Sequence, residues 1–243
     1  MDGDLRVLSG GDGEPLLLLL HGLGATGDVW AGWRPLLADR WPGRWLAPDL
    51  PGHGGSAPLP DYTFDGLAAA VRPLVEAGTV VLGHSLGGVV GLALAAAGAP
   101  VASVAGLGIK VAWTDDELGK AQALAQRPVT WFGSREEAAE RYLRVSGLAG
   151  LLSADDPAVT AGLVREDGRW RLALDPRAFG VGAPDLAGLL ARCPAPVTLA
   201  RGERDPMNSD EQLARLGVPA VTLPGLGHNA HVEGPEQCLT LLT

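Results

Sequence analysis

Three side chains in this sequence have the types needed for nucleophilic catalysis, and each stands shortly after an apolar run. Ser85 lies in Gly83-His84-Ser85-Leu86-Gly87-Gly88, between Thr79-Val80-Val81-Leu82 and Val89-Val90-Gly91-Leu92-Ala93-Leu94-Ala95. Strand, tight turn and helix in that order would hold the hydroxyl on a strained turn at a sheet edge, above a helix N-terminus. A serine is a weak nucleophile at neutral pH. It needs a base within hydrogen-bond reach, and the base needs a third group to fix its tautomer. Asp205, in Gly202-Glu203-Arg204-Asp205-Pro206, follows the run at 196–200, and His228, in Gly225-Leu226-Gly227-His228-Asn229, follows the run at 220–223. Glu203, Asp115 and Asp116 are the alternative carboxylates. His231 is the alternative base, although Gly227 favours a loop position for His228.

Such a site also needs donors for the negative charge that develops on the attacked oxygen. The Leu86 N–H, at the start of the helix, is one. The second is expected from His21-Gly22-Leu23-Gly24, the loop after the run at 16–20, with the Leu23 N–H as donor.

The elements that must carry these residues follow from apolar spacing. Residues 5–8 read as a strand. The unbroken Leu16-Leu17-Leu18-Leu19-Leu20 reads as a buried parallel strand, because it does not alternate. Asp28 is placed to cap a helix through Trp33 and Leu37, and a strand follows at 45–47. Residues 64–77 have helical spacing that stops at Gly78, and a strand at 102–109 follows the helix after Ser85. Strands alternating with helices predict an α/β fold, with a mostly parallel twisted sheet and helices on both faces. From about Thr114 the pattern changes. Residues 115–126, 134–145 and 157–164 look helical, and 169–174 extended. Residues 112–190 are therefore expected to form a mostly helical cap, inserted into a core made of 1–111 and 191–243. The sheet pattern resumes with the strands at 196–200 and 220–223 and closes with a helix at 234–242.

Taken together, His21-Gly22-Leu23-Gly24, Pro48-Asp49-Leu50-Pro51-Gly52-His53-Gly54-Gly55-Ser56, the Ser85 turn, Gly202-x-x-Asp205 and Gly227-His228 resemble the α/β-hydrolase superfamily. The likeness is greatest to small carboxylesterase- and lactonase-like members with a helical cap. It runs from about Leu16 to the C-terminus and is thinnest in the cap. The resemblance implies Ser85 as nucleophile, Asp205 as acid, His228 as base, and Leu23 and Leu86 as oxyanion donors. The order Ser, Asp, His along the chain fits that fold. It implies a small-molecule ester as substrate, with no cofactor and no metal.

The remaining polar and aromatic residues admit plainer roles. His21 and His53 read as loop-shaping hydrogen-bonders and His84 as a packing residue. Glu136, Glu137 and Glu140 read as a solvated helix face. Trp113 and Trp131 either line an apolar substrate pocket or fill the cap's own core. Lys110, at a strand exit near the site, is either salt-bridged there or touches substrate. A net charge of −9 over 243 residues argues against nucleic acid and anionic membranes as partners. The apolar run at 15–20 is too short for a membrane span or signal segment, and Met1-Asp2-Gly3-Asp4 has no basic stretch. Cys193 and Cys238 have no metal spacing and read as reduced thiols. A cytoplasmic location is the expectation.

Overall fold

The computed structural model describes residues 4–242. In chain order its strands are β1 (Val7–Gly10), β2 (Leu17–Leu20), β3 (Trp45–Pro48), β4 (Thr79–His84), β5 (Val101–Leu107), β6 (Leu163–Glu166), β7 (Arg169–Leu172), β8 (Val197–Gly202) and β9 (Ala220–Leu223). Seven of them form one sheet in the order β1-β3-β2-β4-β5-β8-β9. β1 runs antiparallel to β3, and the other neighbours pair in parallel. This is the predicted α/β sheet.

The unbroken leucine run of β2 has a direct physical reason. Leu18 and Leu20 join the apolar layer on one face of the sheet, and Leu17 and Leu19 join the layer on the other. All four are 0% exposed, so a central strand has no polar side to show. The first layer is built with α2 (Phe64–Val71) and α3 (Leu86–Ala96). The second holds Trp30, Trp33 and Leu37, the last on α1 (Arg34–Arg40).

Between β5 and β8 the chain forms α4 (Asp115–Ala125), α5 (Arg135–Val145), α6 (Pro157–Ala161), the hairpin β6–β7, and α7 (Leu186–Arg192). α7 packs against α3 through Leu186 and Leu189, so it joins the layer beside the sheet although its N-terminal part falls within 112–190. After β8 come α8 (Asp210–Ala214), α9 (Ala230–Glu233) and α10 (Pro235–Leu239).

Several local expectations change. Residues 27–33 form a 3-10 turn capped by Thr26, whose Oγ1 accepts from the Asp28 N–H, so Asp28 is not the cap. The helix expected at 64–77 ends at Val71, and a 3-10 turn at Arg72–Leu74 follows. Pro73 brings no N–H to bond the carbonyl four residues back, and the chain, still helical at Arg72, tightens into the 3-10 turn. The helix expected at 157–164 ends at Ala161, and Val164 lies in β6. Asp167 and Gly168 have φ of 48° and 76°. Two positive-φ residues between antiparallel strands make a tight hairpin turn, so this segment carries a hairpin where continued helix was expected. The last helix is short too, passing into a 3-10 turn at Thr240–Leu242.

Candidate active site

The turn between β4 and α3 holds Ser85 at φ 50°, ψ −114°. A non-glycine residue in that region costs roughly 1–3 kcal/mol and persists only where its surroundings impose it. Here they do. The Ser85 N–H donates to the Leu107 carbonyl at 2.7 Å, which ties the turn to the end of β5. A Cβ on Gly83 would lie 2.3 Å from the Gly87 carbonyl oxygen, and one on Gly87 would lie 2.4 Å from that of Leu20. Glycine at both positions lets β2, β4 and α3 close around the serine.

His228 stands on the loop after β9. Its Nδ1 is 3.1 Å from Asp205 Oδ2 on the loop after β8. A carboxylate can only accept, so Nδ1 carries the proton and Nε2 is left as an acceptor. The Asp205 side chain is fully buried, and its Oδ1 accepts from the Met207 N–H at 2.9 Å. Asn208 locks this loop to the chain beyond β5. Its Nδ2 donates to the Ile109 carbonyl (2.6 Å), and its Oδ1 accepts from the Val111 N–H (2.9 Å). Gly108 lies against the His228 ring, where a Cβ would sit 3.3 Å from Cε1. Gly108 follows Leu107, the residue bonded to Ser85, so Ser85 and His228 flank the same strand exit.

His84 adds a second link between turn and base. Its Nε2 is 3.0 Å from the His228 carbonyl, and its ring lies 4.8 Å from that of His228 and 4.2 Å from that of His231. Burial, reinforced by the neighbouring imidazoles, holds His84 well below the usual histidine range. A neutral ring donating from Nε2 fits that environment. His231, the alternative base, is enclosed beside Trp30 and His84 and does not reach Asp205. Burial lowers it to about 3. Glu203 accepts from the Gly225 N–H, and Asp116 pairs with Lys120. Neither meets His228.

The loop carrying Leu23 is shaped by the residues read as structural. His21 Nε2 accepts from the Leu50 N–H at 2.8 Å, and its Nδ1 lies 2.8 Å from the Gly22 carbonyl. Buried Asp49 accepts from the N–H groups of Gly27 (2.7 Å) and Gly55 (2.9 Å) and pairs with Arg6. His53 Nδ1 lies 3.0 Å from the Pro51 carbonyl, and burial lowers its ring to about 3.

Ser85, Leu23 and Leu86 line one cavity of about 330 Å³. Its walls are mostly apolar. Phe64 and Val89 come from the sheet's helices, and Trp113, Leu118, Ala121, Leu124, Phe179 and Val181 from the insertion. Phe64, Val89, Leu118, Ala121 and Phe179 were not legible as pocket residues, because apolar side chains of a helix face look alike whether they meet a core or a cavity. Lys110 and Trp113 line it as well. Lys110 is paired with Glu117 and its Nζ sits 5.0 Å over the Trp113 ring. Hydrogen bonds from Lys110 and from the Thr114 N–H hold the Glu117 carboxyl down at about 2. Trp131 is not in this cavity, which corrects the sequence reading. It lines a different one with Pro58, Arg171 and Leu174, under the guanidinium of Arg169. Its neighbour Phe132 exchanges backbone bonds with Trp170 of the hairpin, which ties this segment there.

The fold and the arrangement of strand-end loops define an α/β hydrolase. The model of the Alpha/beta hydrolase family matches residues 17–241, and the chain belongs to that family. Among curated proteins it is 30% identical over 236 residues to the pimeloyl-[acyl-carrier protein] methyl ester esterase of Methylococcus capsulatus, covering 86% of this chain and 84% of that one. It is 26% identical to the 2-succinyl-6-hydroxy-2,4-cyclohexadiene-1-carboxylate synthase of Serratia proteamaculans, covering 95% and 93%. Among solved structures, the thioesterase domain from the curacin biosynthetic pathway superposes with a TM-score of 0.79 at 20% identity, covering 99% of both chains. That last likeness concerns the fold. Among the described residues no helix is long and apolar enough to cross a membrane. No cluster of three or more His, Cys, Asp or Glu among them could hold a metal ion.

Proposed function

We propose that this chain is a serine hydrolase cleaving carboxylic esters, lactones or thioesters of small to medium apolar acids through an acyl-enzyme. The observation that carries this reading is the strained Ser85 at a largely apolar cavity, at the same strand exit as a histidine bonded to a buried aspartate. The name of the similar esterase points the same way. Residues 112–190 act as a cap over the site, and residues 1–111 and 191–243 as the core.

His228 Nε2 takes the Ser85 proton as Oγ bonds to the carbonyl carbon. The carbonyl π electrons move onto oxygen, where the Leu23 and Leu86 N–H groups meet them. Among the described residues no backbone acceptor is bonded to the Leu23 N–H, which leaves it available. As the carbonyl re-forms, the bond to the leaving oxygen or sulfur breaks, and His228 returns its proton to that atom. Water then attacks the acyl-enzyme with His228 again as base, releasing the acid and regenerating Ser85. Asp205 keeps the imidazole in the right tautomer and stabilises its charged form.

The test is hydrolysis of p-nitrophenyl butyrate by the wild-type chain and by Ser85→Ala. Turnover lost by about 10⁴-fold or more in the variant supports the reading. Equal rates would overturn it. Similarity to a synthase across most of the chain favours, as a second reading, non-hydrolytic chemistry with the same three residues. Absence of turnover on every ester would point there.

A further inference from the structure

The cavity at Ser85 is apolar except at one end, where Lys110 and Glu117 meet. Lys120, one turn along α4 from Glu117, lines the same wall. Lys120 is largely exposed and paired with Asp116, so Lys110 and Glu117 are the charged pair set into walls that are otherwise largely hydrocarbon.

Lys110 is placed by the fold rather than by chance. It emerges just beyond β5, three residues after Leu107, whose carbonyl holds the Ser85 N–H. Adjacent strands lie about 4.8 Å apart, so the ammonium starts from the strand exit beside the nucleophile. Its side chain is 18% exposed, and the Trp113 face lies 5.0 Å from Nζ. An ammonium has three donors. Glu117 Oε1 takes one, and the cavity offers no other carboxylate.

We propose that the substrate bears a carboxylate besides the ester cleaved at Ser85, and that Lys110 selects it. Glu117 does to Lys110 what that carboxylate would do. It keeps the ammonium oriented and charged when the cavity is empty, and competes for it when substrate enters. Charge-assisted hydrogen bonds of this kind favour a carboxylate over its neutral ester, because only the carboxylate can take the ammonium's remaining donors or replace Glu117 as its ionic partner. The inference rests on the ester-hydrolase reading for the reaction, but its binding part can be tested without turnover.

Monomethyl adipate and dimethyl adipate have the same acyl chain and differ in one charge. The ratio of kcat/KM for the monoanion to that for the diester is the readout, with acid release followed by titration. The wild-type ratio should exceed about tenfold. Lys110→Met should lower it about tenfold or more, and Glu117→Gln, which removes the competitor, should raise it. Opposite movement by the two variants is what a merely structural ion pair would not give. A ratio unchanged in Lys110→Met, or the same fall on both esters in both variants, would overturn the proposal. The second measurement is binding of monomethyl adipate to Ser85→Ala, expected to weaken about tenfold when Lys110→Met is added. Equal affinity would also overturn it. If neither ester is cleaved while this difference in binding persists, the hydrolase reading falls and the carboxylate site stands.

Discussion

At the residue scale the site depends on a few atoms held where an isolated peptide would not put them. The Asp205 carboxylate is enclosed by the Met207 N–H and His228 Nδ1. Replacing it with Asn would offer His228 a donor on the wrong side and favour the wrong imidazole tautomer. In Asp205→Asn, kcat on an active ester is expected to fall about 10⁴-fold with the fold intact by circular dichroism. A fall below tenfold would contradict the orienting role. The buried histidines make a different prediction. His53 and His231 are held near 3 by burial, whereas an unfolded chain protonates them from about pH 6.5 downward. The unfolded state therefore binds more protons through that window. Their contribution to stability is complete above about pH 6.5 and is lost progressively as pH falls toward 3, by up to roughly tenfold in the folding constant per pH unit for each ring. Urea midpoints measured at pH 7.5, 6 and 5 should fall, and fall less in His53→Gln; parallel slopes would refute this. Ser85, Asp205 and His228 could be singled out in the sequence because each sits in a short motif after a strand. Asn208 and the link from His84 to the His228 carbonyl had no such signal, because each makes its bonds to residues about a hundred or more positions away.

At the element scale the strands of the large sheet were legible and the helix ends less so. A run such as Leu16 to Leu20 has one reading, but whether 64–77 is a single helix depends on Pro73, and whether 157–164 stays helical depends on a turn at Asp167-Gly168. That pair was the available signal for the hairpin. The turn at Ser85 depends most on glycine. Gly83→Ala would drive a methyl to 2.3 Å from a backbone oxygen that cannot swing aside. It is expected to destabilise by about 1–3 kcal/mol or more, read as a lower urea midpoint, with loss of activity in whatever folds. Asn208→Ala would strip the Ile109 carbonyl and Val111 N–H of their partner. It should cost about 1–3 kcal/mol and lower kcat through the Asp205 loop. Full activity at unchanged stability would show that the loop is held by other means.

At the scale of the whole molecule the cavity exists because two parts of the chain face each other across it. Phe64 and Val89 come from the helices beside the sheet, and Leu118, Ala121 and Phe179 from the insertion. The sequence reading divided the chain into a core and an insertion but gave no contact between them, which depends on how α4 lies over Ser85. Trp131 shows the limit well, since an aromatic in the insertion was as plausible a wall residue as Trp113 until the hairpin placed it elsewhere. Filling the cavity from the insertion side, with Ala121→Phe, should lower kcat/KM for p-nitrophenyl octanoate at least about tenfold more than for the acetate. An even effect on both would place the acyl chain elsewhere. The central claim is that Ser85 becomes covalently acylated. Its most direct test is labelling with a fluorophosphonate, read by mass spectrometry of the intact chain and of its peptides. The expected result is one adduct on the peptide containing Ser85, absent in Ser85→Ala and strongly slowed in His228→Ala. An adduct on another residue, or undiminished ester turnover in Ser85→Ala, would contradict it.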